Sequence, residues 1–250
     1  MSPLQIFGVG GLPEIESGAE LAGMILRAAE AGGQPLADGD VVVVTSKIVS
    51  KAEGRTVELA DIEPSPFARE WSARWGKDPA LTELVLREAK RVVRQIGPIL
   101  ITETHHGFVC ANSGVDQSSS GAQGRAVVLP LDPDGSARAI RAGFKAGGVD
   151  VAVIISDTFG RAWREGQTDI AIGIAGMQPI LSYIGQVDPH GHEFMVQALC
   201  TADELAGAAE LVKGNVSRVP VAVIRGHHWD VDDSATIFPV VRDQSRDLFR

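Results

Sequence analysis

Cysteine is scarce in this sequence: two in 250 residues, Cys110 and Cys200, each inside an apolar strand-like run and in no CxxC or other ligand spacing. That usage gives no basis for a disulfide framework and fits a reducing, cytoplasmic setting. No apolar run approaches the ~20 residues needed to cross a bilayer. Met1 is followed by neither a basic stretch nor a long apolar one, so neither a secretion signal nor a membrane partner is expected. Positive charge is in deficit, with 23 Lys and Arg against 32 Asp and Glu and a net charge of −9. Broad nucleic-acid binding is therefore not expected, although an acidic protein can still build a local basic pocket for phosphates. Two nucleotide-binding signatures are missing as well. No GxxxxGK[ST] loop occurs, and Gly8-Val9-Gly10-Gly11-Leu12-Pro13 lacks the third glycine of a dinucleotide fingerprint, with Pro13 where the helix should open. Repeats and low-complexity tracts are absent.

What is present suits a soluble α/β protein with a substantial core, as one large domain or two that share a boundary: 44% apolar and 22% charged residues. Strands are expected at 4–9, 41–44, 151–156 and 219–224, the middle two as unbroken runs buried on both faces. Helical spacing covers 18–31, where Gly32 and Gly33 stop it, and 64–75. The stripe Leu81, Leu84, Val85, Ala89, Val92, Val93 and Ile96 extends a further helix over 79–96. A hairpin is expected around His105-His106, and a turn at 129–136 leads into a helix ending near Lys145. Thr201-Ala202-Asp203-Glu204 reads as a capping box, with Thr201 as N-cap, opening a helix through 212. The segment from Gly226 to Arg250 is polar and charged and is expected on the surface.

The strand at 151–156 is expected to end at Asp157 and Thr158, with Arg161 and Arg164 close behind. In sheets flanked by helices, ligands gather beyond the carboxyl ends of strands. Oxygen ligands beside guanidinium groups suit a polyphosphate carrying a hard divalent cation; an Asp that merely caps a solvated turn is the alternative. Asp116 occupies an equivalent place after the 107–111 strand, and two carboxylates brought together this way make a Mg²⁺ or Mn²⁺ site. Thr45-Ser46-Lys47-Ile48-Val49-Ser50-Lys51-Ala52-Glu53-Gly54-Arg55 is dense in hydroxyls and cations directly after a buried strand, so it reads either as a phosphate contact or as a charged surface loop. Lys213 and Gly214 admit a nucleotide contact or an ordinary helix end. His190 and His192 are assigned to a polar hairpin turn rather than to a metal.

Taken in order, Gly11-Leu12-Pro13, the 45–55 string, Gly114-Val115-Asp116-Gln117-Ser118, Asp157-Thr158-Phe159-Gly160-Arg161-Ala162-Trp163-Arg164, Ala202-Asp203-Glu204-Leu205-Ala206 and Pro220 through Gly226 closely resemble the coenzyme F420-0:L-glutamate ligases. The resemblance runs from about residue 6 to residue 226, which makes 1–226 the ligase domain and 227–250 a C-terminal tail. It implies a mixed α/β fold that is neither Rossmann nor P-loop, in an intertwined homodimer. The implied activity is GTP-dependent joining of L-glutamate to coenzyme F420-0, with further γ-linked glutamates, helped by Mg²⁺ or Mn²⁺ and by K⁺.

Carried over residue by residue, the resemblance puts GTP against Gly11, Leu12, Pro13, Glu14, Ser46, Lys47, Lys51 and Ser119, and against Lys213, Gly214, Asn215, Val216, Ser217, Arg218 and Val219. Asp116 and Asp157 would hold one divalent ion, with Thr158 and Asn215 contributing to a second. Lys47, Lys51, Asp157 and Arg161 would carry catalysis. The family pattern ends G-V-D-x-S-N, and Ser119 stands where the asparagine belongs, which shortens or removes a nucleotide hydrogen bond. Activation of a carboxylate as an acyl-phosphate needs no protein nucleophile, in keeping with the lack of any Ser-His-Asp or Cys-His arrangement. A metal-dependent phosphohydrolase using the same aspartates and a non-catalytic nucleotide sensor are the alternatives.

Overall fold

The computed structural model describes residues 3–117 and 123–247. The chain opens with β1 (Gln5–Val9) and α1 (Leu21–Ala31), whose buried stripe is Leu21, Ala22, Ile25 and Ala29. Then come β2 (Val41–Thr45) and α2 (Ser46–Ala52). The short β3 (Thr56–Glu58) leads to α3 (Pro66–Trp75) and α4 (Pro79–Arg87). Each of these two helices starts with a capping side chain, Ser65 or Asp78, followed by proline at its first position, where a missing N–H costs nothing. A three-stranded antiparallel sheet follows, β4 (Ala89–Ile96), β5 (Ile99–Thr104) and β6 (Val109–Ala111).

Next, β7 (Arg125–Val127) pairs with β3, and α5 (Pro133–Ala146) is capped by Asp132. A long hairpin, β8 (Ala152–Arg161) and β9 (Arg164–Met177), precedes the small ribbon β10 (Leu181–Ser182) and β11 (Ala198–Leu199). The chain closes with α6 (Thr201–Lys213), β12 (Val221–Arg225) and β13 (Val231–Asp232).

The main sheet has the order β1-β12-β2-β8-β9-β13. Within it β2 and β8 are parallel and every other neighbouring pair is antiparallel. Val41–Val44, Val151–Ile155 and Val221–Ile224 are fully buried, as expected of β-branched runs covered on both faces. Helix α5 packs on β8 and β9, while α6 packs on β9, β12 and β1. At Gly173 of β9 any side chain would run into the backbone of Pro133, 2.5 Å from an added Cβ, so glycine sets how closely α5 approaches the sheet. Two smaller apolar clusters lie under α3 and α4, one of Leu59, Leu84, Ala126 and Val128, the other of Trp71, Val85 and Leu100. Phe159 of β8 meets Phe108 edge to face at 6.3 Å, joining the smaller sheet to the main one. No helix among the described residues is long and apolar enough to cross a membrane.

Several expectations are corrected. The helix over 79–96 stops at Arg87, and 89–96 is a strand paired antiparallel with β5. Register shifts between Ala89 and Arg91 and between Val92 and Arg94 break the two-residue alternation and make its apolar spacing look helical. The 46–52 stretch is a helix rather than a loop, because Ile48 and Val49 have a core face to bury. Strand β8 does not end at Asp157 but continues to Arg161, since β9 accompanies it that far.

Thr201 is no N-cap. It is the first helical residue; Cys200 takes the cap position without a side-chain bond, and Asp203 instead accepts the backbone N–H of Ala171 at 2.9 Å. The 226–247 segment is also less superficial than its composition suggests. It adds β13 to the sheet edge, buries Ala235 and Ile237, and places Asp233 on the guanidinium of Arg141.

Candidate active site

The parallel pairing of β2 with β8 ends at Thr45 opposite Ser156, where β2 turns into α2. From Asp157 onward, β8 keeps its β9 partner but loses β2, and α2 and β6 lie against it there. Successive side chains of a strand point to opposite faces, so Asp157 and Phe159 share one face while Ser156 and Thr158 share the other.

On the first face, the Ser46 hydroxyl donates to Asp157 Oδ1 at 2.9 Å. Lys47, next on α2, reaches Asp116 Oδ2 at 2.9 Å with both side chains partly exposed. Asp116 is itself held by two backbone hydrogen bonds to Val127. Burial pushes the Asp157 carboxyl up to about 6; the Ser46 hydrogen bond and the Lys47 charge pull the other way without offsetting it. Two carboxylates and nearby hydroxyls form a hard, oxygen-only donor set, and an under-compensated buried carboxylate is stabilised by an added cation, so the residues suit Mg²⁺ or Mn²⁺. Among the described residues no three His, Cys, Asp or Glu side chains gather to hold an ion unaided. Phosphate and water would have to complete its shell.

On the second face, Asp169 of β9 lies opposite Thr158. Its Oδ1 accepts from the Thr158 hydroxyl at 2.6 Å, and its Oδ2 accepts from Ser156 at 2.9 Å and from Lys213 Nζ at 2.6 Å. Both charged side chains are only 3% exposed, so stranding either would cost about 3–5 kcal/mol. Burial, with the neighbouring Asp169 charge, also raises the Glu210 carboxyl. Asp169 and Glu210 escaped the sequence reading. The available signal was the Ser156-x-Thr158 pair, two hydroxyls on one face of an apolar strand.

The loop after α6 closes over the end of β1. An added Cβ at Gly8 would stand 2.5 Å from Val219 Cγ1, so the missing side chain lets Val219 sit on the strand. A Cβ on Gly10 would also meet Val219, at 3.8 Å, and Glu14 and Arg218 line one cleft. Leu12 packs on the core, whereas Gly11, Pro13 and Glu14 are exposed and Gly11 has a φ of +76°. Glu14 pairs with Lys51 Nζ at 2.5 Å. Both residues line a cleft of about 810 Å³, together with Ser17, Glu58, Arg125 and Arg218. Arg125 and Glu58 were not anticipated.

The expected residues therefore fall into groups. Ser46, Lys47, Asp116 and Asp157 form one cluster, and Lys51 with Glu14 a neighbouring one. Lys213 turns its ammonium inward to Asp169, and Asn215 is exposed on the loop beyond it. Arg161 is four strand residues, about 13 Å, from Asp157, and its guanidinium donates to the carbonyls of Glu165 and Gly166 at the hairpin end. Arg55 of the 45–55 string serves the fold, bonding the Leu129 carbonyl and Glu88. His105 and His106 bond backbone carbonyls, and Asp188 accepts the backbone N–H groups of His190 and His192 in a turn. Ser119 lies outside the described residues.

A family model described as F420-0:Gamma-glutamyl ligase matches residues 10–226. The chain is 42% identical over 250 residues to the Coenzyme F420:L-glutamate ligase of Methanothermobacter thermautotrophicus, with 99% of each chain covered. It is 40% identical to the protein of the same name from Methanopyrus kandleri, over 97% of this chain and 100% of that one. Against the Halobacterium salinarum protein it is 41% identical, over 95% of this chain and 93% of the other. With the model spanning nearly all the elements that build the cluster and relatives aligned almost end to end, the chain belongs to the F420-0:gamma-glutamyl ligase family.

Proposed function

We propose that this chain is a GTP-dependent ligase that joins the α-amino group of L-glutamate to the lactyl carboxylate of coenzyme F420-0, and then adds further γ-linked glutamates. The observation that carries the proposal is the family match over residues 10–226 laid over a partly buried oxygen-donor cluster flanked by cations. In the first step the lactyl carboxylate oxygen attacks the γ-phosphorus of GTP, the bond to the β-phosphate oxygen breaks, and GDP leaves. In the second the glutamate amine attacks the acyl carbon, inorganic phosphate departs with the C–O electron pair, and the nitrogen gives up a proton.

Lys47 and Lys51, one helical turn apart on α2, place two ammonium groups along one line and offset charge on the transferred group. Asp116 and Asp157 would hold one Mg²⁺ or Mn²⁺, with Thr158 and Asn215 toward a second; such ions supply charge neutralisation at the phosphate oxygens. No residue is assigned to K⁺. The Gly11–Glu14 turn and the Lys213–Val219 loop flank the cleft in which the nucleotide would lie, and Arg161 braces the β8–β9 hairpin. A homodimer working in the cytoplasm completes the reading.

A coupled assay of GDP release with F420-0, with and without L-glutamate, tests it. Strict dependence on glutamate, with mass spectrometry showing the glutamylated product, is the expected result. Release without glutamate would select a phosphohydrolase, and no release at all a nucleotide sensor.

A further inference from the structure

The hydroxyl of Thr158 has one hydrogen, and Asp169 Oδ1 takes it at 2.6 Å. With the proton directed at Asp169, the remaining lone pairs of Oγ1 are left for whatever meets the partly exposed Thr158 at the strip of β8 that β2 has abandoned. Asp169 cannot itself serve as a ligand there. It is 2% exposed, and its other oxygen is saturated by Ser156 and Lys213. Lys213 also donates to Ser156 at 2.8 Å, so the ion pair is bound into β8 from both strands of the hairpin and from the last turn of α6.

We infer that Asp169 is a positioning residue, held by Lys213, that fixes the Thr158 hydroxyl as a pure acceptor toward the second divalent cation, the one assigned above to Thr158 and Asn215. The inference rests on the ligase reading above, and it assigns a reason for an ion pair that would otherwise be a costly thing to bury. Its chemical content is an orientation. In Asp169→Asn, the Lys213 ammonium keeps the amide oxygen at the Oδ2 position and so turns the amide NH₂ toward Thr158. The amide then donates to Oγ1, and the hydroxyl hydrogen swings toward the cation. The substitution reverses the polarity of one hydrogen bond while the amide oxygen still accepts from the Lys213 ammonium.

The test is a Mn²⁺ titration followed by electron paramagnetic resonance, with a non-hydrolysable GTP analogue present and unfolding followed in parallel. Thr158→Ser is expected to bind like the parent. Thr158→Val and Asp169→Asn are each expected to leave the first Mn²⁺ as in the parent and to weaken the second by about 10–100-fold, the usual effect of disturbing a group that orients a ligand. The two substitutions combined are expected to be no weaker than Thr158→Val alone, because both act through one oxygen.

Parent-like affinity in Asp169→Asn, or losses that multiply in the combined variant, would overturn the inference. A merely structural Asp169 would lower the melting temperature and leave the affinity of the folded protein unchanged, which also overturns it. Should Asp169→Asn not accumulate folded, Asp169→Glu, which keeps a carboxylate for Lys213 but moves it relative to the Thr158 hydroxyl, takes its place in the cycle. Asp157→Asn serves as the control at the first ion: parent-like binding of both Mn²⁺ ions there would sink the ligase-site reading itself, whereas loss of the first ion there, with the second bound as in the parent by Asp169→Asn, sinks only the role of Asp169.

Discussion

Lys47 Nζ lies 2.9 Å from Asp116 Oδ2, joining the second residue of α2 to a strand-edge residue sixty-nine positions later. Both side chains are partly open to solvent, so the pair contributes at most about 1 kcal/mol to stability. Lys47→Met is therefore expected to melt within a few degrees of the parent while, on the proposed reaction, losing at least about a hundredfold in kcat/KM, the scale for removing one preorganised charge beside a transferred group. Calorimetry with initial rates checks this, and a variant that keeps its rate would remove Lys47 from the reaction.

Asp157 yields a prediction of opposite sign in stability and activity. Its folded carboxyl is pushed up to about 6, so the folded state holds a proton that the unfolded chain releases near 4. The associated stability is present in acid and is lost as pH rises through about 6. Asp157→Asn can still accept from Ser46 and has no carboxyl to ionise. In EDTA it should match the parent near pH 4 and exceed it by about 1–3 kcal/mol at pH 7.5, while activity falls to background. Denaturant titrations at the two pH values decide it; a constant difference between the proteins would contradict the burial argument.

The thiols should be inert at neutral pH. Burial, with the nearby Asp157 charge, pushes Cys110 up to about 12, and burial does the same for Cys200. Only the thiolate reacts with alkylating reagents. Iodoacetamide at pH 7.5 is expected to leave both residues unmodified in the native protein and to modify both after denaturation, as read by intact mass. Rapid native labelling of Cys110 would show that its surroundings open readily.

Gly8→Ala should act at a distance from the chemistry. The new methyl would stand 2.5 Å from Val219 Cγ1 and 3.4 Å from the Val212 carbonyl oxygen, so Val219 and the loop before it must shift. A rise in the KM for GTP of about threefold to tenfold is expected, with kcat little changed, since the proposed function puts the displaced loop against the nucleotide rather than the reacting atoms. A kcat loss with KM unchanged would place the loop elsewhere in the reaction.

Much of the framework was legible because its signals are local. The β-branched runs at 41–44 and 221–224 could only be buried strands, and Ser65, Asp78 and Asp132 announce helices together with the prolines after them. The β4 strand was not legible, because bulges scramble its alternation and only its partner β5 fixes it. Helix α2 is too short to declare itself. The site shows the same division. Asp116, Asp157, Ser46 and Lys47 stand out from their motifs, but Asp169 gains meaning only from the register that sets it opposite Thr158. The inward turn of the Lys213 side chain depends on that same pairing.

The lone parallel neighbours of the main sheet, β2 and β8, are separated by about a hundred residues that include, among those described, four α-helices and five other strands. Closing so long a loop must precede any gain from the contacts it creates, which is the property that slows folding in proteins of high contact order. Ser46 and Asp157 flank that very junction, so a refolding chain acquires its smaller sheet and its helices before it acquires a working site. In a stopped-flow experiment, helical signal should return ahead of catalytic competence, with a lag set by the slowest strand pairing in the molecule.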